Sequence, residues 1–176
     1  MSYDKQLKSG RRRPIFTPGE TTRTVSIGRR EIEQLVPHRD PFLLVDRITA
    51  VDLEARAAIG SRRIDPADPI LAGHFPGDPI YPGFLMLEMM GQLGLCLNHL
   101  ADSGRVEVLP EDAPKPVRLL KLHGALFLGE GRPRDELTIV SQLVEEGGYT
   151  AILAGQVMKD DAILAVAIME AFLPED

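Results

Sequence analysis

The densest apolar run in the chain is FLMLEMMGQLGLCL at 84–97, where a helix would be hydrophobic on nearly every face. Such a helix is a buried one, so the pattern predicts a central helix over about 83–101, ending near Asp102-Ser103-Gly104. Upstream, Ile32, Leu35 and Val36 share one side of a short amphipathic helix over 28–36, with Ser26 or Gly28 at its start. Residues 42–52 and 54–64 are rich in β-branched side chains with partial alternation, and predict two strands. Downstream, strands are expected over 118–128, 135–147, 148–159 and 162–173, with turns at Gly147-Gly148 and Lys159-Asp160-Asp161. The stretch 105–117, with Pro110, Pro114 and Pro116, is a loop or an edge. Pattern alone therefore gives an α+β fold with one long helix and an antiparallel sheet.

Length and composition fit one domain: 176 residues, 44% hydrophobic and 26% charged. The apolar run is short for a membrane span and carries Glu88 and Gln92, so no span is expected. One cysteine, Cys96, cannot build a disulfide framework, which points to a reducing, cytoplasmic setting. Charge is uneven. Residues 1–30 hold eight Lys and Arg against Asp4 and Glu20, a net of +6, so the total of −6 leaves −12 on the remainder. The first 27 residues lack a hydrophobic period and are expected to form a basic, mobile arm ahead of a single domain over 28–176. An acidic body argues against nucleic acid as a partner.

Candidate chemistry is concentrated just before and inside the central helix. GHFPGDPIYPG at 73–83 has three prolines and three glycines, so it is a specifically folded turn around His74. Glu88 lies fourteen positions on, in the apolar run, where a carboxylate is costly unless it is paired or used. A histidine near neutrality and an acid whose burial favours its protonated form are the parts needed to remove and return protons. Gln92, one helical turn beyond Glu88, shares its face and can orient it. His99 and His123 have no acid or ligand spacing around them in sequence. No metal cluster, phosphate loop or dinucleotide fingerprint occurs, so no cofactor or metal is implied.

These residues also resemble a known family. GHFPG-x-P-x-x-PG is matched by Gly73, His74, Phe75, Pro76, Gly77, Pro79, Pro82 and Gly83, and LE-x-M-x-Q by Leu87, Glu88, Met90 and Gln92. Upstream, PHRDPFLLVDR at 37–47 matches a second motif. Both are similar to the 3-hydroxyacyl-acyl-carrier-protein dehydratases of the FabZ and FabA type, closest to the FabZ type. The resemblance implies a hotdog fold, with the sheet wrapped around the central helix, and edge-to-edge homodimers that can assemble further as a trimer of dimers. It implies His74 as general base and Glu88 as general acid, one from each subunit of a shared site. Gly83, with a free N–H at the positive end of the helix, would polarise the thioester carbonyl, beside Gln92, Phe75 and Pro82 as substrate-binding residues. The substrate implied is an acyl chain on an acyl carrier protein, and the product its trans-2-enoyl thioester.

The match has departures. Asp40 replaces an aromatic residue, and ALFLGEGRPRD at 125–135 lacks the cations usual there. That shifts attention to Arg11, Arg12 and Arg13 as the charges that steer an acidic carrier. His38 and Arg39 are expected to be scaffold. Two rival functions are a hotdog thioesterase, which does not need the loop histidine, and a non-catalytic acyl-binding subunit, which would have lost His74 or Glu88.

Overall fold

A computed structural model describes residues 3–172. Seven strands form one antiparallel sheet in the order β1-β2-β3-β5-β6-β7-β4. They are β1 (Arg23–Gly28), β2 (Arg47–Asp52), β3 (Ala57–Arg63), β4 (Arg118–Phe127), β5 (Glu136–Gly147), β6 (Thr150–Lys159) and β7 (Ala162–Phe172). The helices are α1 (Asp4–Gly10), α2 (Arg29–Leu35), α3 (Pro69–Gly73) and α4 (Gly83–Ser103). The sheet wraps around α4, which packs on β3, β5, β6 and β7. This is the hotdog arrangement.

The sequence explains why α4 lies in the centre. Met86, Met89, Met90, Leu93, Leu97 and Leu100 are almost fully buried, so the side of α4 that meets the sheet is apolar. Close approach to β6 depends on Gly155, where a Cβ would stand 2.5 Å from the Met90 Cβ. Ser141 on β5 donates its hydroxyl to the Met90 carbonyl at 2.7 Å, so the helix is also tied to the sheet by a buried polar contact. The helix stops at Gly104, whose φ of 65° is a left-handed cap that suits glycine.

Most expected elements are present, with three differences. Residues 42–46 are not strand; they are an extended loop that carries Leu43, Leu44 and Val45 into the core and leads into β2. The short helix α3 is an element that the sequence pattern does not announce, because five residues are too few for an apolar period. Residue 173 of the expected last strand lies outside the described residues.

The third difference is the N-terminal segment. It is not a free arm here: α1 packs against β4 and β7, and β1 pairs with β2. Gln156 on β6, fully buried, holds it by three bonds to the backbone. Its Nε2 donates to the Gly10 carbonyl at 2.5 Å and to the Arg13 carbonyl at 3.1 Å, and its Oε1 accepts the Ile15 N–H at 3.2 Å. Tyr3, Leu7 and Ile15 cover Ile152, Ala154 and Ile168 on the outer side of the sheet. Few apolar residues, irregularly spaced, suffice for this cover, which is why no period announced it.

Candidate active site

His74 is set by a closed loop. Asp68 caps α3 by accepting the Ile70 N–H at 3.0 Å, and His74 follows as the residue after the helix. The Ile80 N–H then returns to the His74 carbonyl at 2.9 Å, and the Asp78 N–H to that of Phe75 at 3.1 Å. Gly77 supplies the positive φ of 83° that this turn needs, and the His74–Phe75 peptide is cis. Arg132 pins the loop from outside, bonding Asp78 at 2.6 Å and Glu130 at 2.7 Å.

The tautomer of His74 follows from its partner. Nδ1 lies 3.0 Å from the Ile80 carbonyl oxygen, which can only accept. Nδ1 therefore carries the proton, and Nε2 of the neutral ring has the lone pair. Phe75 stacks on the imidazole with centroids 4.1 Å apart and is itself half exposed. His74 faces an open cavity of about 480 Å³ shared with Gly83, Phe84, Phe127 and Glu130. Gly83 opens α4 with Pro82 as its cap, so its N–H is one of the helix's unpaired first-turn donors. A Cβ at Gly83 would come within 2.7 Å of the Phe127 ring, so this glycine also serves packing.

Glu88 belongs to a different cavity. Its Oε1 accepts from Gln92 Nε2 at 2.9 Å and stands 3.3 Å from His38 Nε2. Gln92 is fully buried and makes two further bonds, donating to the Phe42 carbonyl at 2.8 Å and accepting the Leu44 N–H at 2.8 Å. The PHRDPFLLVDR segment thus becomes the wall that orients Glu88. Asp46, at its end, anchors that wall through Arg29 at 2.8 Å, Arg62 at 2.9 Å and the Arg63 N–H at 2.8 Å. The cavity, about 330 Å³, runs along α4 from Phe84 past Glu88 and Gly91 to Asn98, under β4, β6 and β7.

Glu88 is not the buried acid the apolar run implied. Its side chain is 32% exposed, because its face of α4 looks into the cavity rather than the sheet. His38, expected as scaffold, contacts Glu88 directly; its place in the PHR motif was the available signal. The other two histidines do have acids nearby, brought by topology. His99 Nε2 is 3.2 Å from Asp112, and His123 Nε2 is 2.8 Å from Glu170 across the β4–β7 pair.

Within one chain, His74 and Glu88 do not share a cavity; Phe84, 74% exposed, lines both. Phe84 stands beside the edge strand β4, where Leu119, Leu120, Leu122 and Phe127 are exposed as well. Among the described residues, no group of three or more His, Cys, Asp or Glu is placed to hold a metal. None of the described helices is long and apolar enough to cross a membrane.

Residues 36–168 match the FabA-like domain. The chain belongs to that family. It is 35% identical over 143 residues to the 3-hydroxyacyl-acyl-carrier-protein dehydratase FabZ of Sulfurimonas denitrificans, covering 81% of this chain and 94% of that one. A FabZ of Campylobacter jejuni is 36% identical over the same length, with the same coverage. Among solved structures, the dehydratase heterocomplex ApeI:P from Xenorhabdus doucetiae superposes with a TM-score of 0.63 at 17% identity, over 82% of this chain and 91% of that one. A hypothetical thioesterase with coenzyme A from Streptococcus pneumoniae gives a TM-score of 0.51 at 13% identity, over 68% and 80%. At these identities the two structures speak for the fold alone.

Proposed function

We propose that this FabA-like chain is a hydro-lyase that dehydrates a 3-hydroxyacyl thioester, carried on an acyl carrier protein, to the trans-2-enoyl thioester. The observation that carries the reading is the pair of prepared groups, His74 with a free Nε2 and Glu88 aimed by Gln92. They occur in a chain about one-third identical to named FabZ dehydratases. His74 Nε2 takes a proton from C2, and the electrons move onto the thioester carbonyl, where the Gly83 N–H stabilises the charge. As they return to form the C2=C3 double bond, the C3–O bond breaks. Glu88 gives its proton to the departing hydroxyl, which leaves as water. His74 then loses its proton and Glu88 regains one through solvent, and the cycle closes.

The separation of His74 and Glu88 into two cavities supports a site shared between two copies of the chain. The apolar edge at β4 supplies the surface for such a homodimer, pairing two sheets edge to edge. Three such dimers could associate further, as in the trimer of dimers the resemblance implies. The reducing setting suggested by buried Cys96 fits a cytoplasmic enzyme.

The test is product analysis with a 3-hydroxyacyl thioester, following enoyl absorbance and free thiol together. Enoyl product without thiol supports the reading; thiol release means a thioesterase, and neither means a binding subunit. His74→Ala and Glu88→Ala should each lose about 10²–10⁴ in rate while staying folded. Mixed under conditions that exchange subunits, the two variants should recover part of the activity. Proven exchange with no recovery would place each site within one chain.

A further inference from the structure

Gly91 and Gly94 both lie inside α4, and the surrounding packing explains only the second. At Gly94 a Cβ would stand 2.4 Å from Leu153 Cδ2, so the close approach to β6 requires glycine there. At Gly91 a Cβ would meet nothing within 4 Å, and φ lies outside the left-handed region. Neither contact nor conformation asks for glycine at that position. Yet glycine is, after proline, the residue least suited to a helix interior, because it gives up the most backbone freedom on folding. An unfavourable residue with no packing reason points to a use for the space it leaves.

That space is the cavity of Glu88. Gly91 lines it and is partly accessible, three residues beyond Glu88 on the same stripe of α4. The strands contribute only apolar side chains to this cavity, among them Leu122, Leu153 and Met169. An alkyl chain is the ligand that such a lining suits. Residues 88 and 91 are about 4.5 Å apart along the helix axis. An extended chain advances roughly 1.2 Å per bond, so it passes Gly91 about four bonds beyond the carbon that faces Glu88.

We propose that Gly91 is a specificity-determining residue, and that its missing side chain admits acyl chains longer than about seven carbons. A four-carbon chain, with C3 at Glu88, ends short of residue 91. A ten-carbon chain lies across it and needs the room that a side chain would fill. The inference rests on the dehydratase reading above, because it treats this cavity as the acyl channel of that reaction.

The experiment measures kcat/KM for four-carbon and ten-carbon 3-hydroxyacyl thioesters on wild type, Gly91→Ala and Gly91→Leu, with the melting temperature of each. Wild type should accept both substrates. Gly91→Leu should lower the ratio of ten-carbon to four-carbon kcat/KM by about tenfold or more, the scale on which an apolar pocket rejects surplus methylene groups. Gly91→Ala should lower the ratio less, and should melt about 2 °C above wild type, because alanine favours the helix and meets no neighbour. A gain in stability with a loss of long-chain activity separates a space kept open from a packing position. A ratio unmoved by Gly91→Leu, or a wild type that rejects the ten-carbon chain, would overturn the inference. So would a Gly91→Ala that melts lower, since glycine would then serve packing, within the chain or against a second copy. Should Gly91→Leu fail to fold, Gly91→Ala gives the same two readouts. A wild type inert toward both substrates would defeat the dehydratase reading, and this inference with it.

Discussion

Gln92 Nε2 donates to Glu88 Oε1 at 2.9 Å while Gln92 Oε1 accepts the Leu44 N–H at 2.8 Å. One buried amide thus connects the acid on α4 to the backbone of a loop 48 positions earlier. A carboxylate on a flexible side chain gains a fixed direction from that connection, which is what proton delivery to a bound hydroxyl needs.

Replacing Gln92 by Leu should therefore act on both stability and rate. The Leu44 N–H and the Phe42 carbonyl would be left unpaired in the core, at about 1–3 kcal/mol for each group that water cannot reach. Loss of Glu88 orientation should lower kcat by roughly 10–100-fold, with little change in KM. Thermal melting and steady-state kinetics separate the two. A normal kcat in a destabilised variant would make Gln92 a purely structural residue.

The GHFPG loop and the apolar run were legible because each is written contiguously: turn formers around His74, and leucine and methionine on every face of the next helix. The wiring of Glu88 was only half legible. Its bond to Gln92 is local and follows from a four-residue spacing, but its contact with His38 joins residues fifty apart and depends on how the 37–46 loop crosses α4. The exposure of Glu88 was hidden for a similar reason, since leucines such as Leu87 and Leu95 share the cavity stripe with Glu88, Gly91 and Gln92 and mask its polar character in sequence. The N-terminal cover was missed because its main anchor is Gln156, a polar residue that reads as a surface position until the chain end is laid over it.

Asp52 gives the fold a testable acid sensitivity. Its carboxylate is almost fully buried and takes the Ala55 N–H at 2.8 Å and the hydroxyls of Thr21 and Thr22 at 2.8 Å each. The Ala55 backbone bond, helped by the two threonines, holds its pKa below the ordinary 3.8, against the opposing effect of burial. The folded value lies below the unfolded one, so this contribution is whole above pH 3.8 and is lost as pH falls through the folded value. Asp52→Asn should melt lower than wild type at pH 7, and the gap should narrow below about pH 3.8. A gap constant down to pH 2 would remove Asp52 from the acid response.

Cys96 should be silent until the protein opens. It is fully buried on α4, and burial pushes its thiol up to about 12, so almost no thiolate exists at neutral pH. Alkylation by iodoacetamide at pH 8 should be negligible in the native state and should rise along the denaturation curve measured by circular dichroism. Fast labelling without unfolding would mean that α4 separates from the sheet locally.

The N-terminal segment separates two effects that a single deletion would otherwise mix. Residues 3–15 cover the apolar outer patch of the sheet and satisfy Gln156, so removing residues 1–15 should lower the melting temperature by several degrees. The same segment carries exposed Arg11, Arg12 and Arg13 on an otherwise acidic molecule. A triple substitution of these arginines by Gln leaves the cover in place and removes charge and one exposed Arg13–Ser9 side-chain bond, so its melting temperature should stay near that of wild type. If the arginines steer an acidic carrier, that variant should lose kcat/KM for a carrier-linked substrate about threefold or more at low salt. The loss should shrink at 0.5 M salt, where screening reaches only about 4 Å, and a short thiol analogue should react as before. Equal losses for both substrates would assign the arginines to folding, and no loss for either would make their charge irrelevant to catalysis.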